Sequence, residues 1–197
     1  MATIPDHIST DVRQGTGTGR TTSGKKKFRF KNKLASLDSS VIDLCLSLYD
    51  WAKFRRTKGA VKLHLLLDHD GYLPSFAVLT DGKTSDIRVA RQLRFEAGTV
   101  VVIDRGYNDY QWFVDLGRQG VLFVTLLKDK AVYEVVEQRT VPENRNVLRH
   151  EVIFFPSLAE PKPEYFFRRV EIWDNDKQES IVFLTNHQAF GATISTG

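Results

Sequence analysis

The run Thr99-Val100-Val101-Val102-Ile103 constrains the fold of this chain more than any other segment. All five residues branch at Cβ, which narrows their side-chain rotamers, disfavours helix and suits a pleated strand. No polar residue alternates with the apolar ones, so the run reads as a strand buried on both faces, inside a sheet rather than at its edge. It ends on Asp104-Arg105-Gly106-Tyr107, which sets a carboxylate where a rigid strand leaves the core.

A buried strand needs neighbours, and the flanking sequence supplies them. A short apolar piece, Leu34 to Leu37, leads into Asp38; then Val41, Cys45, Leu48, Tyr49 and Ala52 recur at helical spacing and predict a helix over 40–54. Val61 to Leu67 and Ser75 to Thr80 flank Asp68-His69-Asp70-Gly71, a hairpin in which Asp-Gly would supply the positive φ angles. The Asp68-His69-Asp70 cluster is thereby read as a turn and not as a metal site. Ser85-Asp86 opens a helix continued by Ile87, Ala90 and Leu93, with Asp86 read as its cap. A helix over 108–118 follows, then an apolar strand from Val121 to Leu127. Beyond it, Val132 to Val136, Val147 to Phe155, Tyr165 to Trp173 and Ser180 to Leu184 all read as strands. Strand alternating with helix predicts an α/β (α+β) mixed sheet covered by helices. Asp38 and Asp104 would then meet at one edge of it, where open sheets of this kind commonly place a ligand.

Charge narrows the partners. Of a net +4, the first 33 residues carry +6 and the remainder −2, so the body of the protein is not basic. Residues 1–27 read as a disordered basic tail. A second basic stretch, Lys53, Arg55, Arg56, Lys58 and Lys62, contains no acid and lies within the folded region. No apolar run reaches the roughly 20 residues that span a bilayer, and the start lacks the apolar core of a secretory signal. The single Cys45 excludes an intramolecular disulfide and a multi-cysteine zinc site.

Asp38 and Asp104 are the candidate catalytic and metal-binding residues, each closing an apolar segment. Hard cations such as Mg²⁺ take oxygen ligands, and two ions about 3.5–4 Å apart can serve both the attacking and the leaving oxygen of a phosphoryl transfer. Three blocks surround them: Leu37-Asp38-Ser39-Ser40-Val41-Ile42-Asp43-Leu44, Lys58-Gly59-Ala60-Val61-Lys62-Leu63-His64, and Val102-Ile103-Asp104-Arg105-Gly106-Tyr107. In order and spacing these resemble successive blocks of bacterial insertion-sequence DDE transposases, over about residues 27–184. The resemblance implies an RNase H-like core (28–128) followed by a β-rich insertion (129–197). It also implies metal-dependent DNA cleavage and strand transfer with Mg²⁺ or Mn²⁺, and Asp38 and Asp104 as the first two catalytic acids. Lys62, His64, Arg105 and Tyr107 would line the DNA path. The partners it implies are transposon-end and target DNA, and a homodimer or association with intact transposase, in a bacterial cytoplasm.

The family's third acid lies on a helix, in a motif of Tyr, an Arg three residues on and a Glu four further. Tyr165 and Arg168 have the first spacing, but Ile172 stands at the acid's place on a predicted strand. Nothing before Phe28 resembles the family's DNA-binding region. The expectation is therefore a catalytic domain truncated before its third acid and inactive as given. The alternatives are a non-enzymatic DNA-binding or interfering fragment, and a self-sufficient RNase H-like nuclease with an unrecognised acid.

Overall fold

The computed structural model describes residues 32–43, 60–141, 143, 146–158 and 162–188. These lie in one compact unit that begins at Asn32. The expected basic tail, Cys45, and residues 53–59 of the second basic stretch fall outside the described residues.

Among the described residues nine strands form one sheet: β1 (Leu34–Asp43), β2 (Ala60–Asp68), β3 (Leu73–Asp81), β4 (Val100–Ile103), β5 (Leu122–Leu126), β6 (Glu134–Gln138), β7 (Val147–Phe154), β8 (Phe166–Asp174) and β9 (Glu179–Thr185). Their order across the sheet is β3-β2-β1-β4-β5-β9-β8-β7-β6. β1, β2 and β3 pair antiparallel, whereas β4 lies parallel to β1 and β5 parallel to β4. These five strands form a mixed sheet. The residues after Leu127 do not make a separate layer. Their strands return antiparallel through β9, which pairs with β5 (Val124↔Thr185), and so extend the same sheet. The junction is locked by Asn186, whose amide accepts from Phe123 N at 3.0 Å and donates to Val121 O at 2.9 Å.

Among the described residues two α-helices, α1 (Asp86–Ala90) and α2 (Tyr110–Arg118), cover one face of this sheet. α2 starts where Asp109 caps it by accepting from Trp112 N, and it buries Trp112, Phe113, Val114 and Leu116. Those side chains join Ala35, Leu37, Leu66, Val101, Ile103 and Phe123 in a single core cluster. The period of two along each strand therefore assigns Leu37, Leu66, Val101, Ile103 and Phe123 to the covered face. Ser36, Asp38, Val102 and Leu126 belong to the opposite face, where Val102 is 42% and Leu126 37% exposed. The strand expected to be buried on both faces is buried throughout the covered face, whereas on the other face Val100 is buried and Val102 is not. Among the described residues no helix is long and apolar enough to cross a membrane.

Three further expectations are corrected. The helix expected from Ser40 gives way to strand as far as Asp43, because Val41 and Ile42 continue the ladder against Lys62 and Val61 of β2. Residues 44–54 of that expected helix lie outside the described residues. The β2–β3 hairpin forms as expected, but its positive φ falls on Tyr72 (54°) and not on Gly71. Asp68 accepts from Asp70 N at 2.8 Å and closes the turn, as a short acid in an Asx turn does. Finally, Asp38 does not close a strand; it sits in the middle of β1.

Candidate active site

The register of two parallel strands brings the two acids together. Leu37 of β1 pairs with Ile103 of β4, and Asp104 N donates to Leu37 O at 3.2 Å, so Asp38 and Asp104 are the next pair along. Adjacent strands lie about 4.8 Å apart, and equivalent positions on them share a face. Both carboxylates therefore project from the open face at the C-terminal end of β4, and both residues are exposed. Each is steadied on Oδ1 by one backbone N–H, Asp38 by Ser39 N at 2.7 Å and Asp104 by Gly106 N at 2.8 Å.

Asp104 is also the cap of a 3₁₀ turn, Arg105–Tyr107, that ends β4 abruptly. Gly106 is demanded by close approach. A Cβ there would stand 2.9 Å from Asp104 Oδ1 and 3.2 Å from Asp86 Oδ2, well inside ordinary contact. The turn drives Tyr107 back under the sheet, where it is fully buried.

On the covered face, directly behind the pair, lies a polar network. His64 of β2, 0% exposed, bonds through Nδ1 to Tyr107 Oη and through Nε2 to Thr80 Oγ1, both at 3.0 Å. Burial holds the His64 imidazole below its usual range, against the pull of the Asp86 carboxylate. Burial likewise pushes the Tyr107 hydroxyl up to about 12; a hydrogen bond with Ser39 opposes the rise, and the carboxylates of Asp86, Asp38 and Asp104 add to it. Lys62 Nζ donates to Asp86 Oδ1 at 3.0 Å and to Thr84 O at 3.1 Å. Ser39 Oγ donates to the same Asp86 oxygen at 3.1 Å.

Of the residues expected to line a DNA path, only Arg105 is exposed. His64 and Tyr107 are fully buried and bonded to each other, and the Lys62 ammonium is engaged by Asp86. In this arrangement His64 and Tyr107 form an internal brace, and the half-buried Lys62 is tied to Asp86. The residue that sequence reasoning undervalued is Asp86. Ser85 is the N-cap of α1 and makes no side-chain cap bond; the Asp86 carboxylate turns to Lys62 and Ser39 instead. A signal existed: Lys62 alternates with His64 and Leu66, so it had to face the core side and meet an acid there.

Among the described residues no three His, Cys, Asp or Glu side chains are grouped to hold a metal ion. Carboxylates of the later strands stand elsewhere: Glu134 and Glu137 on β6 at the far edge, and Glu171 paired with Arg169 at 2.6 Å. Ile172 lies on β8, a strand, as read from its sequence.

Residues 29–178 match the family model of the transposase DDE domain. The chain belongs to that family. Among curated relatives, "Putative transposase y4zB" of Sinorhizobium fredii (strain NBRC 101917 / NGR234) is 27% identical over 157 residues. The match covers 78% of this chain and 44% of the relative, so the chain spans less than half of that protein's length. Among solved structures, piggyBac transposase in a synaptic complex with hairpin DNA is similar over 83% of this chain and 34% of its own, at 9% identity and a TM-score of 0.49. Endonuclease V from Bacillus subtilis is similar over 78% and 64%, at 13% identity and a TM-score of 0.30. Transposase DDE domains in general use divalent metal ions. Here two adjacent exposed carboxylates are the hard oxygen donors such an ion requires.

Proposed function

We propose that this DNA transposase catalytic domain carries the first two acids of a metal-dependent site that cuts and joins DNA, with Asp38 and Asp104 as ligands of Mg²⁺ or Mn²⁺. The observation that carries the reading is the adjacency of Asp38 and Asp104 on parallel strands, on the face that α1 and α2 leave open. When bound, the metal supplies a Lewis acid for the phosphoryl oxygens and an activated oxygen nucleophile. The chain's own part is positional: Ser39 N and Gly106 N orient the carboxylates, and Arg105 reaches the DNA backbone from the turn that holds Asp104. A helix bearing the third acid would seat on the open face beside Val102 and Leu126. Transposon-end and target DNA are the substrates, and a homodimer is the assembly this reading brings with it.

A second reading, a DNA-binding module without cleavage of its own, is favoured by one observation: the described residues group two carboxylates and not three. One pair of experiments separates them. Mn²⁺ titration followed by water-proton relaxation should give weak binding that Asp38→Asn or Asp104→Asn removes. Nicking of duplex DNA in Mn²⁺ should then depend on a third acid supplied on a helix. Binding and nicking indifferent to both Asp→Asn changes would overturn the site assignment. Salt-sensitive DNA binding with no cleavage under any of these conditions would favour the second reading.

A further inference from the structure

Asp86 is the best-connected carboxylate near the site and has no part in the reading above. Its Oδ1 takes Lys62 Nζ at 3.0 Å and Ser39 Oγ at 3.1 Å, with His64 Nδ1 at 3.7 Å. Its Oδ2 faces the backbone of Gly106, on the same side as Asp104 Oδ1. The Lys62 and Asp86 side chains are only 14% and 17% exposed, so neither charge is dissolved by water. Ser39 follows Asp38 directly, and Gly106 donates to Asp104; Asp86 therefore touches the neighbour of one acid and abuts the turn that holds the other.

The Lys62 ammonium is bound to the carboxylate that also holds Ser39, the neighbour of Asp38, so its positive charge lies in the surroundings of the pair. An ammonium free to swing would pair with an acid or repel a divalent ion. Held by Asp86 and by Thr84 O, it is neutralised and fixed in place. We propose that Asp86 is a positioning residue for the Asp38–Asp104 pair: its carboxylate neutralises and immobilises the Lys62 ammonium, so that the cation the pair attracts is the metal. The inference rests on the proposed metal site and adds to it a charge-balancing partner on α1.

The test is Mn²⁺ affinity of the whole 197-residue chain, with Mn²⁺ alone as the probe. Asp86→Asn keeps size and an acceptor oxygen but leaves Lys62 uncompensated. It should weaken Mn²⁺ binding on the order of tenfold, as removal of one nearby charge from a divalent ion's surroundings does at a partly exposed edge. Asp86→Asn combined with Lys62→Met removes both charges and should return affinity to within about threefold of wild type. Lys62→Met alone should tighten binding, and it serves as the reading should Asp86→Asn not fold. An Asp86→Asn defect that the double variant does not repair, unchanged affinity in Asp86→Asn, or no gain in Lys62→Met each overturns the proposal. Failure of the underlying site looks different: a wild-type chain that binds no Mn²⁺, or an Asp104→Asn variant that binds it as well as wild type does.

Discussion

Tyr107 and Arg105 sit two residues apart, one buried and one exposed, so the contrasting consequences expected of their loss test the proposed roles directly. Tyr107→Phe removes a single oxygen from a fully buried ring and opens almost no cavity. What it leaves is His64 Nδ1, 3.0 Å from the lost hydroxyl, inside a 0% exposed side chain. A buried polar atom stripped of its partner costs about 1–3 kcal/mol. Asp86 Oδ1, already 3.7 Å from the same nitrogen, lies close enough to take over part of the bond and holds the expected loss near the lower half of that range. For a domain of this size about 1 kcal/mol corresponds to roughly 2–4 °C, so the melting temperature should fall by a few degrees. DNA affinity and its salt dependence should stay as they were, because the hydroxyl is not on the surface. Arg105→Ala should do the reverse: stability within about 0.5 kcal/mol of wild type, and a slope of log K against log salt shallower by about one. Urea unfolding and fluorescence anisotropy on a labelled duplex at several salt concentrations read both quantities on both variants. If Tyr107→Phe changed the salt slope while leaving stability intact, the assignment of an internal brace would be wrong, and with it the orientation of the turn after Asp104.

Gly106→Ala should displace the Asp104 carboxylate, since the new Cβ would fall 2.9 Å from its Oδ1; Mn²⁺ titration should show weaker binding at little cost in melting temperature. Stability should have a plateau in pH with a shoulder on each side. His64 is depressed in the folded state, so its contribution is complete above its ordinary value of 6.5 and declines as pH falls below it. Tyr107 is raised from 10.0 to about 12, so its contribution is complete below 10.0 and declines as pH rises toward 12. Urea midpoints from pH 5 to 11 check both limbs, and Tyr107→Phe should flatten the alkaline one. Arg169→Met strands Glu151, which the guanidinium holds at 2.7 Å, and leaves Glu171, held at 2.6 Å, with Arg149 at 3.7 Å. Breaking a buried pair from one side costs about 3–5 kcal/mol, and the urea midpoint at neutral pH should drop accordingly.

Local pattern carried much of the architecture. A β-branched run marked β4, an apolar run marked β5, runs bounded by turn residues marked β2, β3 and the four strands after Leu127, and the three motif blocks marked the family. These signals are legible because strand propensity and turn chemistry act over a few neighbouring residues. Where local signals conflicted, pairing decided. Val41 at helical spacing with Cys45 argued for helix from Ser40, yet a ladder partner in β2 was available and β1 ran on to Asp43. Which face of β4 would be covered was not legible either, since a run with a side chain of one kind at every position has no polar mark on either side; α1 and α2 chose it. The same holds for the roles of Lys62, His64, Tyr107 and Asp86. Their residue types suggested DNA contact and a helix cap, but burial and bonding depend on elements far apart in the chain, β2, α1 and the turn after β4, arriving at one place. A short-range pattern names the groups that can do chemistry; only the register of β1 against β4 put Asp38 beside Asp104, because hydrogen bonding between strands, and nothing along either strand, sets their alignment.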